Sequence, residues 1–427
     1  MNKKIWTQIR DVIDNTAKKY DDRWRKRIKK SGGINSKFLI NFIFQLAINT
    51  KKGYGVVLSE LWADCGSKNI KMSQSSPFSI SSICEARQKL PEDIFLEINL
   101  KIREVSNIQE RKLFMGKHRV YAIDGTKVSL DKRLEAEGYK IYNKDAYYPS
   151  GLLSCLYDVN NYIACDFRIT KNMSERKVIL KHIDVLKKDD LVILDRGYFS
   201  YFLLRKFVNK GIHVLFRLQK NLKNKELDKF LSSNETDAII NYKPSQQVKY
   251  RLKVIESELD FSPIPLRVLK QEINDKTYIF GTTLIGIEYK EEIFSDLYHS
   301  RWSIEELYKI SKETFGIEAL HAKTERGIKQ EIYAHFVLIN IARFIEMESN
   351  KNQGIKMNMK KTNFKGCVVA INSYINELMF KGYSYIIKII KKILTFISKM
   401  KYKVRPNRCF PRVSHKPVKR WRIAYNS

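Results

Sequence analysis

The sequence predicts an α/β protein in which helices flank a central mixed sheet and an all-α N-terminal domain precedes it. Residues 1–105 carry apolar side chains at helical spacing, and short β-rich runs alternating with helical stretches begin at His118. No repeat and no Pro/Gly/Ser-rich linker divides the chain. With 427 residues, 44% of them hydrophobic, the chain is long enough to bury a substantial core in two or three domains.

Helices are expected throughout the N-terminal domain. Trp6, Ile9 and Ile13 recur on one helix face, and residues 38–48 form a second apolar helix. Pro91 separates two further helical stretches, as expected of a residue that favours the first turn of a helix.

Residues 106–346 are predicted to form the α/β core. The expected elements are strands at 118–123, 152–159 and 162–170, a helix at 174–186, a strand at 191–194, a helix at 199–209 and a strand at 213–218. Three strands, helix, strand, helix, strand is the order of an RNase H-like mixed sheet covered by helices. Ligands of such sheets gather at strand ends.

A β-rich insertion is expected at about 220–289, before the last helix of the core. Three stretches in it alternate between polar and apolar residues: Gln247–Ile255, Leu266–Ile273 and Tyr278–Ile287. The following helix begins near Asp296 and continues without Pro or Gly until Gly316, a suitable C-terminal cap.

The charge of the chain indicates a polyanionic partner. Lys and Arg outnumber Asp and Glu by 79 to 46, which gives a formal net charge of +33. The basic C-terminal region, residues 347–427, contributes strongly, because residues 351–427 hold 19 Lys/Arg against the single acid Glu377. A second basic cluster lies at Arg23–Lys30, and Lys401–Arg422 holds nine Lys/Arg without an acid. DNA is therefore the expected partner, although a solvated basic tail would have the same composition.

Several other classes of protein are disfavoured. The apolar runs are too short or too charged to span a bilayer, so we expect no membrane partner. Arg10 and Asp11 interrupt the place where a signal peptide would be apolar, which predicts a cytoplasmic protein. The six cysteines form no CxxC pair, so neither a disulfide framework nor a zinc module is expected.

Two aspartates follow predicted strands. Asp124 begins Asp-Gly-Thr and Asp195 begins Asp-Arg-Gly-Tyr, so each would stand where an apolar run opens into a turn. Two strands of one sheet would present both carboxylates at the same edge, where hard oxygen ligands could hold Mg²⁺. The alternative is that both are ordinary turn aspartates.

A polar stripe marks the helix after the insertion. Tyr298, Arg301, Glu305 and Lys312 follow one another at intervals of 3, 4 and 7 residues, which at about 100° per residue places them on one face. Glu306, the neighbouring acid, lies off this stripe. The periodicity alone favours a solvated face with an Arg301–Glu305 ion pair.

This pattern, Tyr-x2-Arg-x3-Glu-x6-Lys, resembles the YREK signature of one branch of DDE transposases from bacterial insertion sequences. The two aspartate motifs resemble those of the same branch and occur in the order it requires. Residues 172–176, which include Glu175, resemble an Asn/Glu-containing stretch of the family. The resemblance covers about residues 80–425.

The resemblance implies metal-dependent DNA cleavage and strand transfer with two Mg²⁺ ions, for which Mn²⁺ can substitute. Asp124 would bridge both ions, and Asp195 and Glu305 would each complete one site. The expected DNA-binding residues are Tyr298, Arg301, Lys312, Arg196 and Tyr198. The partners would be transposon ends and target DNA, bound by a homodimer in the synaptic complex.

Two alternatives stay open: an inactive DNA-binding derivative, and an RNase H-like nuclease without strand transfer. Trp302 is expected to pack beneath the site.

Overall fold

The N-terminal part of the chain is helical, as predicted. The structure, a computed structural model, describes residues 3–25, 34–107, 112–142, 144, 146–273, 275–351 and 360–403. The first five helices are α1 (Lys3–Arg25), α2 (Ser36–Ile48), α3 (Tyr54–Ser67), α4 (Ile80–Lys89) and α5 (Asp93–Asn107). The predicted face of α1 is confirmed, because Trp6, Ile9 and Ile13 are all buried. α2 starts at the N-cap Asn35, whose side-chain oxygen accepts a hydrogen bond from the Phe38 amide.

One eight-stranded mixed sheet forms the centre of the molecule. Its strands are β1 (Val120–Ser129), β2 (Ser150–Asp158), β3 (Ile163–Thr170), β4 (Leu191–Leu194), β5 (His213–Arg217), β6 (Asp237–Tyr242), β7 (Ile264–Ile273) and β8 (Lys276–Thr282). The strand order is β3-β2-β1-β4-β5-β8-β7-β6. Strands β1, β2 and β3 form an antiparallel meander, whereas β1, β4 and β5 are parallel.

The predicted order of elements in the core is confirmed. Helix α6 (Glu175–Ile183) connects β3 to β4, and α7 (Tyr201–Asn209) connects β4 to β5. All four residues of β4 are buried, as expected of a parallel strand at the centre of a sheet.

The prediction that β1 ends before Asp124 is wrong. The strand continues to Ser129, and Asp124 and Gly125 are paired with Cys155 and Ser154 of β2. Asp-Gly-Thr is therefore strand and not turn, because the long partner strand β2 extends the ladder through these residues.

The insertion joins the central sheet and does not form a sheet of its own. Strand β6 pairs with β7, β7 pairs with β8, and β8 pairs with β5. The predicted strand at Gln247–Ile255 is wrong, since these residues belong to the helix α9 (Gln246–Ile255). The Ser245 hydroxyl caps that helix by accepting a hydrogen bond from the Val248 amide. A shorter helix, α8 (Lys225–Ser232), precedes β6.

The long helix expected from Asp296 to Gly316 is divided. It consists of α10 (Ile293–His299), α11 (Trp302–Lys309) and a π-helical turn, Ile310–Thr314. Ser300 and Arg301 keep right-handed helical dihedrals between α10 and α11. In the π turn the Phe315 amide bonds the carbonyl of Ile310, five residues back, so the helical phase changes near Lys312.

A buried helix, α12 (Glu325–Lys351), packs against α2, α5 and β3 and so joins the N-terminal helices to the sheet. After it come β9 (Lys360–Thr362), α13 (Phe364–Phe380), α14 (Tyr383–Lys399) and β10 (Lys401–Lys403). Most of the two predicted basic clusters, Arg23–Lys30 and Lys401–Arg422, lies outside the described residues. Within the described ranges, no helix is both long and apolar enough to cross a bilayer.

Candidate active site

Asp124 and Asp195 lie at the same level of two neighbouring strands. β1 and β4 are parallel partners in which Ala122 stands opposite Ile193. Asp124 is two residues beyond Ala122, and Asp195 is two residues beyond Ile193. Because neighbouring strands are about 4.8 Å apart, both carboxylates can face one ligand.

The polar stripe of the α10–α11 segment faces these aspartates. The Tyr298 hydroxyl donates a hydrogen bond to Asp195 Oδ1 at 3.0 Å. Arg301 Nη1 lies 3.4 Å from Asp124 Oδ2, and Arg301 Nη2 lies 2.6 Å from Glu305 Oε1. One segment thus connects Asp124, Asp195 and Glu305.

The surroundings of Asp124 disfavour the charge of its carboxylate. Burial raises its pKa to about 6, and the charges of Glu175 and Glu305 act in the same direction. Arg301 and the Gly125 amide oppose this rise. Although burial lowers the pKa of Arg301, Tyr298 and the nearby carboxylates raise it overall, so its guanidinium stays charged.

Tyr308 connects α11 to β1 at Asp124. Its buried hydroxyl donates a hydrogen bond of 2.7 Å to the carbonyl oxygen of Asp124. It lies on the side of α11 that faces the sheet, and no sequence motif distinguished it from an ordinary core tyrosine.

Residues 115–341 match the family described as Transposase DDE domain. The chain belongs to this DDE transposase family.

Two curated relatives are similar to this DDE transposase chain. Transposase InsG of insertion sequence element IS4 from Escherichia coli K12 is 23% identical over 206 residues, which cover 47% of this chain and 45% of the relative. The probable transposase of insertion sequence element IS5377 from Geobacillus stearothermophilus is 20% identical over 288 residues, which cover 66% of this chain and 71% of the relative. The match thus spans less than half the length of the first relative.

A solved structure of the piggyBac transposase synaptic complex with hairpin DNA is also similar. Its TM-score is 0.45 at 11% identity, and the match covers 90% of this chain and 82% of that chain.

The residues of this DDE domain suit a divalent cation chemically. DDE transposases generally use divalent metal ions. Carboxylate oxygens are the ligands that Mg²⁺ prefers. Burial is the main reason for the raised pKa of Asp124, and the charges of Glu175 and Glu305 add to it. Within the described residues, no three His, Cys, Asp or Glu side chains form a ready-made metal cluster. The Arg301 guanidinium instead lies between Asp124 and Glu305.

The other predicted site residues of the DDE transposase occupy different positions. Lys312 Nζ donates to the carbonyl of Lys127 in β1 at 2.6 Å and lies 3.7 Å from Glu318 Oε1. Arg196 is exposed and lines an open cavity of about 480 Å³ together with Arg217, Lys220 and Tyr278. Tyr198 is 2% exposed, so it lies beneath the site and not on the surface.

The expectation that Trp302 packs beneath the site is wrong. Its side chain is 41% exposed, because the first residue of α11 points away from the sheet that the stripe faces. Three residues that the sequence analysis did not assign to the site lie beside Asp124: Tyr308, Gly125 and Glu175. Of these, only Glu175 could have been found from the sequence, through the resemblance of residues 172–176 to a stretch of the family.

Proposed function

We propose that this chain is an insertion-sequence transposase of the YREK branch, which binds the ends of its element and cuts and joins DNA by two-metal chemistry. Asp124, Asp195 and Glu305 would be its metal-binding carboxylates. One observation carries the proposal: Arg301 contacts Asp124 and Glu305 while Tyr298, on the same segment, holds Asp195. A helix face that contacts only solvent would not contact both Asp124 of β1 and Asp195, which follows β4.

Two divalent cations, Mg²⁺ or Mn²⁺, would activate the attacking oxygen and stabilise the leaving oxygen. By the family resemblance, Asp124 would bind both ions. It contacts Arg301, on the segment that carries Glu305, and its strand β1 pairs with β4, which precedes Asp195. Asp195 and Glu305 would each complete one site, with Tyr298 keeping the Asp195 carboxylate oriented.

Arg301 would change partners when the carboxylates are neutralised by cations. Its Nε is buried and has no hydrogen-bond partner within the described ranges. Released from Asp124, the guanidinium would offer further donors to a phosphate, which it binds best in a bidentate manner. Tyr298 would contact the same DNA end.

The remaining expected DNA contacts flank this centre. Arg196, with Arg217 and Lys220 in the same cavity, would receive the strand beside Asp195. Lys312 would bind a phosphate near Lys127 of β1, after releasing the Lys127 carbonyl. Tyr198 would support the site from beneath. The net charge of +33 would make overall DNA binding strongly dependent on salt.

The domain organisation follows from this function. Residues 1–105 would be a helical DNA-binding domain, 106–346 an RNase H-like core with its insertion, and 347–427 a basic region that contacts DNA backbone. Because two ends must be cut in concert, the active form would be a homodimer on DNA in the cytoplasm, at the nucleoid.

The direct test is cleavage of the element's end DNA with and without Mg²⁺ or Mn²⁺, by the unaltered protein and by Glu305→Gln. Glu306→Gln is the matched control, because Glu306 is the exposed next residue of the same helix. We expect metal-dependent nicking at the end that Glu305→Gln abolishes and Glu306→Gln retains, with end binding kept by both variants.

Other outcomes would point elsewhere. If the unaltered protein binds the end without cleaving it, the assignment as an enzyme is contradicted and a DNA-binding derivative is favoured. Cleavage without joining of a supplied 3′ end would favour a nuclease that lacks strand transfer. Equal loss of activity in both variants would remove Glu305 from its assigned role.

A further inference from the structure

Glu175 lies directly against the backbone of β1 beside Asp124. It is the first residue of α6, and a Cβ added to Gly125 would lie 3.0 Å from Glu175 Oε1 and 2.9 Å from Leu152 Cδ1. The absence of a side chain at position 125 therefore leaves room for this carboxylate. This explains a glycine within a strand, where no turn requires one.

The charge of Glu175 is not compensated within the described part of the chain. No Lys, Arg or His there forms an ion pair with it, whereas Asp124 and Glu305 share Arg301. The side chain is half-buried, and its charge contributes to the raised pKa of Asp124. Two neighbouring acids in such a place are mutually destabilising unless a cation joins them.

Tyr198 supplies an independent sign that the site is incomplete. Its hydroxyl is buried, at 2% exposure of the residue, and makes no hydrogen bond of ordinary geometry to any described residue. Burial and then the charges of Glu175 and Asp124 raise the pKa of Tyr198, which indicates that its hydroxyl lies near these two carboxylates. A buried unpaired hydroxyl indicates a partner that is still to be positioned.

The start of α6 is also attached to the second aspartate motif. Arg176 Nε donates a hydrogen bond of 2.8 Å to the carbonyl of Gly197, in the turn that follows Asp195. Glu175 is thereby held between the Gly125 backbone and the Asp195 turn, beside both aspartate motifs.

We propose that Glu175 is a fourth carboxylate of the active site and binds a divalent cation together with Asp124. When the cation is bound, the Tyr198 hydroxyl would donate a hydrogen bond to Glu175 and orient its carboxylate. This inference rests on the proposed function, because it assigns a further ligand to the same metal centre.

Mn²⁺ binding to the full-length protein, followed by electron paramagnetic resonance, tests the role of Glu175 separately from the proposed function. We expect Glu175→Gln to weaken Mn²⁺ binding about tenfold or more. Asp184→Asn is the matched control, an exposed acid at the other end of α6, and it should bind Mn²⁺ as the unaltered protein does. Loss of binding in Asp124→Asn but not in Glu175→Gln would overturn the role of Glu175 and leave the proposed function intact. Absence of Mn²⁺ binding in the unaltered protein would overturn both.

Thermal unfolding distinguishes a ligand from a structural side chain. Without divalent cations, Glu175→Gln should raise the melting temperature, because it removes one of two neighbouring like charges. With Mn²⁺ the variant should gain less stability than the unaltered protein. An equal decrease in melting temperature with and without Mn²⁺ would show a structural role and contradict the proposal.

Tyr198→Phe is the conservative second variant. The lost hydroxyl has no partner in the described structure, so the fold should keep its stability. Mn²⁺ binding should weaken, by less than in Glu175→Gln. Unchanged Mn²⁺ affinity would remove Tyr198 from the proposal.

Discussion

The Arg301 guanidinium spans the space between two acids from different elements, with Nη2 2.6 Å from Glu305 Oε1 and Nη1 3.4 Å from Asp124 Oδ2. A positive charge here stabilises a pair of carboxylates that would otherwise repel each other. In the proposed reaction, divalent cations would take over that role and free the arginine for DNA.

Arg301→Gln should therefore make the protein depend on divalent cations for its stability. Without them, we expect the free energy of unfolding to fall by about 1–3 kcal/mol, since the part-buried carboxylates of Asp124 and Glu305 lose the cation that they share. Saturating Mn²⁺ should restore much of this loss. Chemical denaturation with and without Mn²⁺ measures both, and the exposed Arg196→Gln is the control. A loss that Mn²⁺ leaves unchanged would contradict the exchange of partners.

Asp124→Asn should be more stable than the unaltered protein at pH 8. The folded state raises the pKa of Asp124 to about 6, above the value in the unfolded chain, so ionisation of Asp124 costs stability at neutral pH. The gain should be about 1–3 kcal/mol in the absence of divalent cations. It should shrink as the pH falls through 6, because the native aspartate then binds its proton. Melting temperatures of both proteins from pH 8 to pH 5 measure this difference in stability. A difference that stays constant over this range would show that the ionisation of Asp124 is not its cause.

Tyr308→Phe should lower stability and cleavage together. The substitution removes a buried hydrogen bond to the Asp124 carbonyl and should cost about 1–2 kcal/mol. Cleavage should slow because β1 loses its register with the helix that carries Glu305. Tyr250→Phe, at a residue that is 75% exposed, is the control for both measurements. Normal cleavage by a destabilised Tyr308→Phe would limit Tyr308 to a structural role.

Glu331→Gln should weaken the attachment of α4 to α12. Arg87 of α4 pairs with Glu331 of α12 at 2.7 Å, and both side chains are buried. Leaving that arginine without its anion should cost about 3–5 kcal/mol, measured by chemical denaturation. The exposed pair Lys52–Glu60 provides the comparison, and Glu60→Gln should cost under about 1 kcal/mol. Equal costs would mean that burial does not govern the Arg87 pair.

Local patterns in the sequence were sufficient for most elements of the core. The apolar run Leu191–Leu194 and the alternating residues of β7 and β8 predicted strands correctly, because burial on one or both faces imposes a pattern that short windows contain. At Gln246–Ile255 the same reasoning failed. Only Leu252 of that segment is buried, so no core face enforced the alternation and the Ser245 cap selected a helix.

For the candidate site, the sequence by itself determined the residue types, their order and the stripe of Tyr298, Arg301 and Glu305, since these depend on spacing within one segment. Only the tertiary structure decided that Asp124 lies within a strand and that Trp302 faces solvent. It also decided that Glu175 lies against Gly125. Those features depend on strand pairing and helix packing between residues far apart in the chain, which local periodicity does not encode.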